Sequence, residues 1–123
     1  MSRKLDDLSP RFRPIAVELL ARLTEAGIPC VIVDTLRTPA EHVENLANGT
    51  SWTLHSKHLT GDAIDVAPYD VYMLHGPDKL KWDASDPVWQ TMGAIGEAIP
   101  NVKWGGRFRP PAKPDLGHFE WRT

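Results

Sequence analysis

Ser56-Lys57-His58-Leu59-Thr60-Gly61-Asp62-Ala63-Ile64-Asp65 is the stretch from which the rest of the chain can be read. It runs on into Val66-Ala67, and residues 63–67 alternate and are β-branched, the pattern of a short strand. Ile64 and Val66 then share one face, and Asp65 points to the other between Ala63 and Ala67. These small neighbours leave room beside the carboxylate for a metal ion and a substrate. Gly61 can take a positive φ, which lets the chain fold His58 back toward Asp65. A second stretch, Asp115-Leu116-Gly117-His118-Phe119-Glu120-Trp121, ends in another strand. There His118 and Glu120 share one face, while Phe119 and Trp121 share the other and enter the core.

Together the two stretches supply His58, Asp65 and His118, two imidazoles and a carboxylate for one divalent cation. Three protein ligands leave a fourth position open to water, the arrangement of a catalytic zinc site; a structural site is closed by four. Asp115 stands three residues before His118, within reach of a water at the metal without being a ligand. Glu120 shares the His118 face and competes with Asp115 for that role, or orients a ligand from behind. The residues thus point to a zinc hydrolase. A His and an Asp seven apart would mean little alone, but the full run Ser-x-His-x-x-Gly-x-Ala-x-Asp is far more specific.

That run resembles the signature of the bacterial cell-wall peptidases that include D-Ala-D-Ala carboxypeptidases and dipeptidases and the L-alanyl-D-glutamate endopeptidases of phage endolysins. The closing Asp-x-x-His-Phe-Glu-Trp resembles the second signature of the endolysin branch. Looser similarity covers Asp34-Thr35-Leu36-Arg37-Thr38 and Trp104-Gly105-Gly106 in the same order, so the resemblance spans residues 14–121. It implies one zinc per chain on His58, Asp65 and His118, attack by a metal-bound water, and Asp115 as general base and then acid. It also implies that Arg37 contacts the substrate and holds its polarised carbonyl, a role for which a guanidinium is suited. From position alone, Arg37 reads as a surface arginine paired with Glu41 or Glu44. The motif specifies Ser56 as well, which is expected to line the cleft and bind substrate. His55, three residues before His58, is set aside as a ligand because the pattern selects His58. His42 and His75 have no partner pattern and read as solvated. The fold implied is α+β, a small, mainly antiparallel sheet with packed helices, shared with the signalling domain of Hedgehog proteins. That kinship keeps a catalytically silent zinc-binding module open as an alternative, beside a D-Ala-D-Ala carboxypeptidase. A facial triad for iron(II) is a weaker rival, because such proteins place the first His and carboxylate closer together.

The remainder of the chain reads as scaffold. One hundred and twenty-three residues suit a single domain, 1–123, with no separate wall-binding domain. Hydrophobic content of 41% and charged content of 24% are ordinary for a globular protein. A net charge of −2 with scattered Lys and Arg argues against nucleic acid as a partner. The single cysteine, Cys30, has no internal disulfide partner and sits in an apolar run that reads as a buried strand. The N-terminus lacks the apolar core of a signal peptide, and no apolar run approaches the ~20 residues that span a bilayer. The expectation is a monomer made in the cytoplasm that takes peptidoglycan stem peptide as its partner, without membrane insertion. Its action on the cell wall then requires release across the membrane, as the resemblance to endolysins implies.

Ser9-Pro10 or Pro14 opens a first helix, with Phe12, Ala16, Leu19, Leu23 and Ala26 at helical spacing and Gly27 as its stop. A strand over 29–36 follows, with Val31, Ile32 and Val33 buried. Thr38-Pro39-Ala40-Glu41 opens a short helix over 38–47 as a capping box. Residues 68–87 read as a long loop bordering the metal cleft, with aromatics that either grip substrate or pack over the core. Asp86-Pro87 starts a last helix through Val88, Met92, Ile95 and Ile99. Val102-Lys103-Trp104 is a short strand, Gly105-Gly106 a turn, and 107–114 a proline-stiffened loop that delivers Asp115.

Overall fold

Alternation at residues 63–67 does place a strand there, at the centre of an antiparallel sheet. The computed structural model describes residues 2–36, 57–70, 79–80, 83–110 and 112–122. In chain order its main elements are α1 (Arg13–Glu25), β1 (Cys30–Asp34), β2 (Ala63–Asp70), β3 (Lys79–Leu80), α2 (Val88–Glu97), β4 (Val102–Trp104) and β5 (His118–Trp121). The sheet runs β1-β2-β5-β4 with every pair antiparallel, and the two-residue β3 pairs with the far end of β2. The expected helix over 38–47 and the tip of the 68–87 loop lie outside the described residues.

α1 starts at Arg13, with Pro14 at its head, rather than at Ser9. The Ser9 carbonyl instead accepts from the amides of Phe12 and Arg13 at 3.1 and 2.9 Å, which makes 9–12 a turn leading into the helix. Phe12, Ala16, Leu19 and Leu23 are buried as their spacing predicts, but Ala26 is exposed because the helix has ended. Gly27, at φ 75°, ends it, with amide bonds from Gly27 to Thr24 and from Ile28 to Leu23. These are the two bonds of a Schellman cap, and a left-handed residue makes them possible. α2 is opened by the Asp86 carboxylate, which accepts from the Val88 amide at 2.9 Å. It ends at Glu97, earlier than expected, although Ile99 just beyond is still buried.

Both helices pack on the face of the sheet that carries Ile64, Val66, Trp104 and Phe119. α2 comes unusually close because it presents glycines. A Cβ on Gly93 would lie 2.4 Å from the Trp104 ring, and one on Gly96 would lie 2.4 Å from the Phe119 ring. Two large aromatics are thereby buried under a helix that has no side chains in the way. The Trp104 indole donates to the Leu116 carbonyl at 2.8 Å, and the Asp115 amide to the Gly105 carbonyl at 2.9 Å. The turn before β5 is therefore tied to the end of β4.

Two strand expectations need correction. Val31 is 37% exposed, and Ile32 and Val33 are only half-buried, because β1 is the edge strand and its pairing is irregular between Ile32 and Asp34. The irregularity shifts the register so that Asp34, not Val33, is opposite Asp65. β2 also continues through Pro68 to Asp70, where a loop was expected. Pro68 is tolerated because β5 pairs only with residues 63–65 of β2, and at residue 68 β1 remains as a ladder neighbour.

Candidate metal centre

Opposite the helices, the sheet presents Asp65 from β2 and His118 from β5, whose Cα positions are directly paired. His58 joins them from a single 3-10 turn, Lys57–Thr60, where a non-helical loop was expected. Gly61, at φ 74°, reverses the chain between that turn and β2. Its carbonyl accepts from the Ser9 amide at 2.9 Å, and a Cβ there would meet that nitrogen at 2.8 Å. Positive φ and close backbone approach both demand glycine at this point.

One ligand atom from each of His58, Asp65 and His118 lies within 4.8 Å of the others, so the three expected ligands converge. The tautomers follow from the surroundings. His58 Nδ1 is 2.7 Å from the Thr35 carbonyl, which can only accept, so Nδ1 carries the proton and Nε2 presents its lone pair. That Nε2 faces Asp65 Oδ2 at 3.2 Å. Two acceptors at this range repel each other unless positive charge, a proton or a metal ion, sits with them. The His118 ring lies between two carboxylates, with Nδ1 2.9 Å from Asp65 Oδ1 and Nε2 2.8 Å from Glu120 Oε1. Glu120 thus fixes the ring from behind and leaves Nδ1 on the side of Asp65 and His58.

His58 and His118 are nearly inaccessible, at 2% and 6% exposure, which makes the local charge balance strong. Burial opposes charge on His118, yet bonds to Asp65 and Glu120 and the nearby charge of Asp115 raise its pKa to about 10. Burial would likewise raise Asp65, but the bond from His118 and the charge on that ring hold it far below the ordinary carboxylate range. Glu120 is lowered against burial by the His118 bond, by the His118 charge, and by Lys103 and Lys57. Two carboxylates bonded to one buried imidazole, with a second imidazole lone pair facing one of them, favour positive charge at this point. Two imidazole nitrogens and one carboxylate, converging with their partners already in place, fit a zinc-type ion.

Asp115 is exposed on the turn before β5, its backbone carbonyl accepting from the His118 amide at 3.2 Å. It is not among the three converging groups, but it is near enough to influence the His118 charge. Arg37, Ser56 and His55 lie outside the described residues. Three contributors were not expected from the sequence. The Thr35 carbonyl orients His58, and Phe108 packs its ring 5.6 Å from that of His118. Asp62, 4% exposed, accepts from Ser9 Oγ at 2.6 Å, Thr60 Oγ1 at 2.7 Å and both ends of the Arg11 guanidinium at 2.9 and 3.0 Å. Its position inside the His58–Asp65 run was the available hint; its partners on the N-terminal segment follow no spacing rule.

Comparison with known proteins places the chain among peptidases. L-alanyl-D-glutamate peptidase of Escherichia phage T5 is 41% identical over 70 residues, 54% of this chain and 47% of that protein. The matched region is therefore about half the length of that relative. The crystal structure of the Serratia marcescens L-Ala D-Glu endopeptidase ChiX superposes with a TM-score of 0.70 at 25% identity, covering 95% of this chain and 82% of that one. Residues 2–112 match the phage L-alanyl-D-glutamate peptidase family, a span that includes His58 and Asp65 and stops short of His118. Because that match covers nearly the whole chain, the chain belongs to the phage L-alanyl-D-glutamate peptidase family.

Proposed function

We propose that this chain is a zinc-dependent endopeptidase that hydrolyses the L-alanyl-D-glutamate bond of peptidoglycan stem peptides, acting as a phage or prophage endolysin. The observation that carries the reading is the convergence of His58 Nε2, the Asp65 carboxylate and His118 Nδ1 at the surface of the central strands. One zinc ion per chain, held by these three groups, would polarise the scissile carbonyl and acidify a water.

The chain's own residues then divide the work. Asp115 takes the proton from the attacking water and passes it to the departing amine of D-glutamate, which leaves poorly unless protonated. Its carboxylate is exposed on a turn anchored to Gly105 and His118, so it can face the cleft without closing the ligand set. Glu120 keeps the proton on His118 Nε2 and so keeps Nδ1 free for the metal. Arg37 is assigned, from the family resemblance, to the negative charge that develops on the carbonyl oxygen. Arg37→Ala should then lower kcat by ~10²–10³ with zinc retained, the scale of a lost oxyanion donor. Ser56 is assigned to substrate binding on the same ground. The protein reaches its substrate from the cytoplasm once the membrane has been opened; among the described residues no helix is long and apolar enough to cross it.

Mass spectrometry of peptidoglycan digested by the purified, zinc-loaded protein tests the reading. New L-alanine C-termini paired with D-glutamate N-termini are expected. Release of D-alanine instead would make it a carboxypeptidase, and an unchanged digest would make it a silent zinc module.

A further inference from the structure

The face of the sheet that carries Asp65 and His118 continues past Glu120 onto β4. There Lys103 is directly paired with Glu120, and it is the exposed residue between buried Val102 and Trp104. Its side chain therefore leaves the sheet on the same face as Asp65 and His118. It does not extend into solvent alone: the ammonium lies 5.2 Å from the centroid of the Phe108 ring, and that ring lies 5.6 Å from the His118 imidazole. Lys57 immediately precedes His58 on the 3-10 turn that carries it. Glu120 is already engaged with His118 Nε2 at 2.8 Å. Both lysines thus neighbour residues of the candidate metal centre, and Glu120, opposite Lys103 in the sheet, is committed to His118.

We propose that Lys103, assisted by Lys57, forms a subsite for a substrate carboxylate, namely the free α-carboxylate of the D-glutamyl residue beside the scissile bond. This rests on the peptidase reading above. In a stem peptide D-glutamate is joined onward through its side-chain carboxyl, so its α-carboxylate is free on the carbon that bears the scissile nitrogen. A group so close to the reacting bond lies beside the metal, on the side that Phe108 joins to Lys103 in this reading. The ammonium donates to the carboxylate, and the Phe108 face helps to hold it in place. Lys103 does not touch the reacting atoms, so it contributes to specificity and not to the chemical step.

The test compares two synthetic stem peptides that differ at one group, the D-glutamyl α-carboxylate or its carboxamide. The full-length, zinc-loaded chain should favour the free acid in kcat/KM by about tenfold, the worth of a charge-assisted hydrogen bond. Lys103→Gln should bring that ratio toward one, through a higher KM for the acid, and Lys103→Arg should restore it. Lys57→Gln should reduce it partially. A wild-type ratio near one, or a Lys103→Gln ratio equal to wild type, overturns the subsite while leaving the peptidase reading intact. A wild-type protein that cleaves neither peptide overturns the peptidase reading, and the subsite with it.

Discussion

Asp115 and Glu120 both act on His118, but with different freedom. Glu120 is bonded to Nε2 at 2.8 Å and is mostly covered, whereas Asp115 is exposed on the preceding turn. A general base has to exchange protons with water and substrate, and a carboxylate already holding an imidazole proton is poorly placed to do so. Asp115→Asn should therefore retain zinc and slow turnover by ~10²–10⁴, the usual range for general acid–base catalysis. Glu120→Ala should instead loosen zinc by about 10- to 100-fold, as loss of the group behind a histidine ligand does elsewhere. Metal titrations and steady-state rates on the two variants separate the roles. If Asp115→Asn stays active while the Glu120 variant keeps its zinc and is dead, the assignments are exchanged.

At the scale of elements, the turn carrying His58 is held by Asp62 rather than by its own length. Four residues of 3-10 helix cannot fix a side chain alone. Asp62 binds the turn through Thr60, the N-terminal segment through Ser9 and Arg11, and its carbonyl accepts from the Trp121 amide at 2.8 Å. Arg11 also lies 4.8 Å over the Trp121 ring. Burial alone would raise the Asp62 pKa, but the bonds from Arg11, Ser9 and Thr60 prevail and lower it from 3.8 to about 2. The depressed value means that its stabilisation is complete above about pH 4 and is lost as pH falls from 3.8 toward about 2. The shift corresponds to roughly 2 kcal/mol, discounted to ~1–2 because Arg11 is half-exposed. Asp62→Asn should cost that much near neutrality and remove that share of the acid sensitivity, as read by denaturant melts at pH 7 and pH 3. Equal losses at both pH values would contradict the electrostatic account.

The contact between α2 and the sheet makes a second element-scale prediction. Gly96 faces Phe119, the immediate neighbour of His118, with no space for a methyl group. Gly96→Ala should destabilise by ~1–3 kcal/mol through overpacking, despite the better helix propensity of alanine. A melting temperature unchanged or raised by Gly96→Ala would show that the ring can move aside.

Over the whole molecule, what was legible in the sequence was what periodicity and local chemistry encode. Residues 63–67 and 118–121 alternate, so the two strands and the inward faces of Asp65 and His118 could be read directly. Gly27, Pro14 and Asp86 marked helix ends by the conformations and bonds their types favour. The edge position of β1 was not legible, because an apolar run looks alike whether one neighbour strand or two will cover it. Nor was the convergence of Ser9, Arg11 and Thr60 on Asp62, or of Phe108 and Lys103 beside His118, since those depend on chain reversals that no local pattern records. The ligand set itself came from a motif, and its geometry from the pairing of β2 with β5.

The three candidate ligands come from three elements, a 3-10 turn, β2 and β5, spread over sixty residues of chain, so metal binding should couple to folding of the whole sheet. Metal analysis of the purified protein after zinc loading and dialysis tests this centre most directly, with wild type beside His58→Ala and His118→Ala. A centre built on these side chains should give one zinc per wild-type chain, none retained by either variant, and a melting temperature raised by zinc in the wild type alone. Zinc retained by both variants at the wild-type level would contradict it.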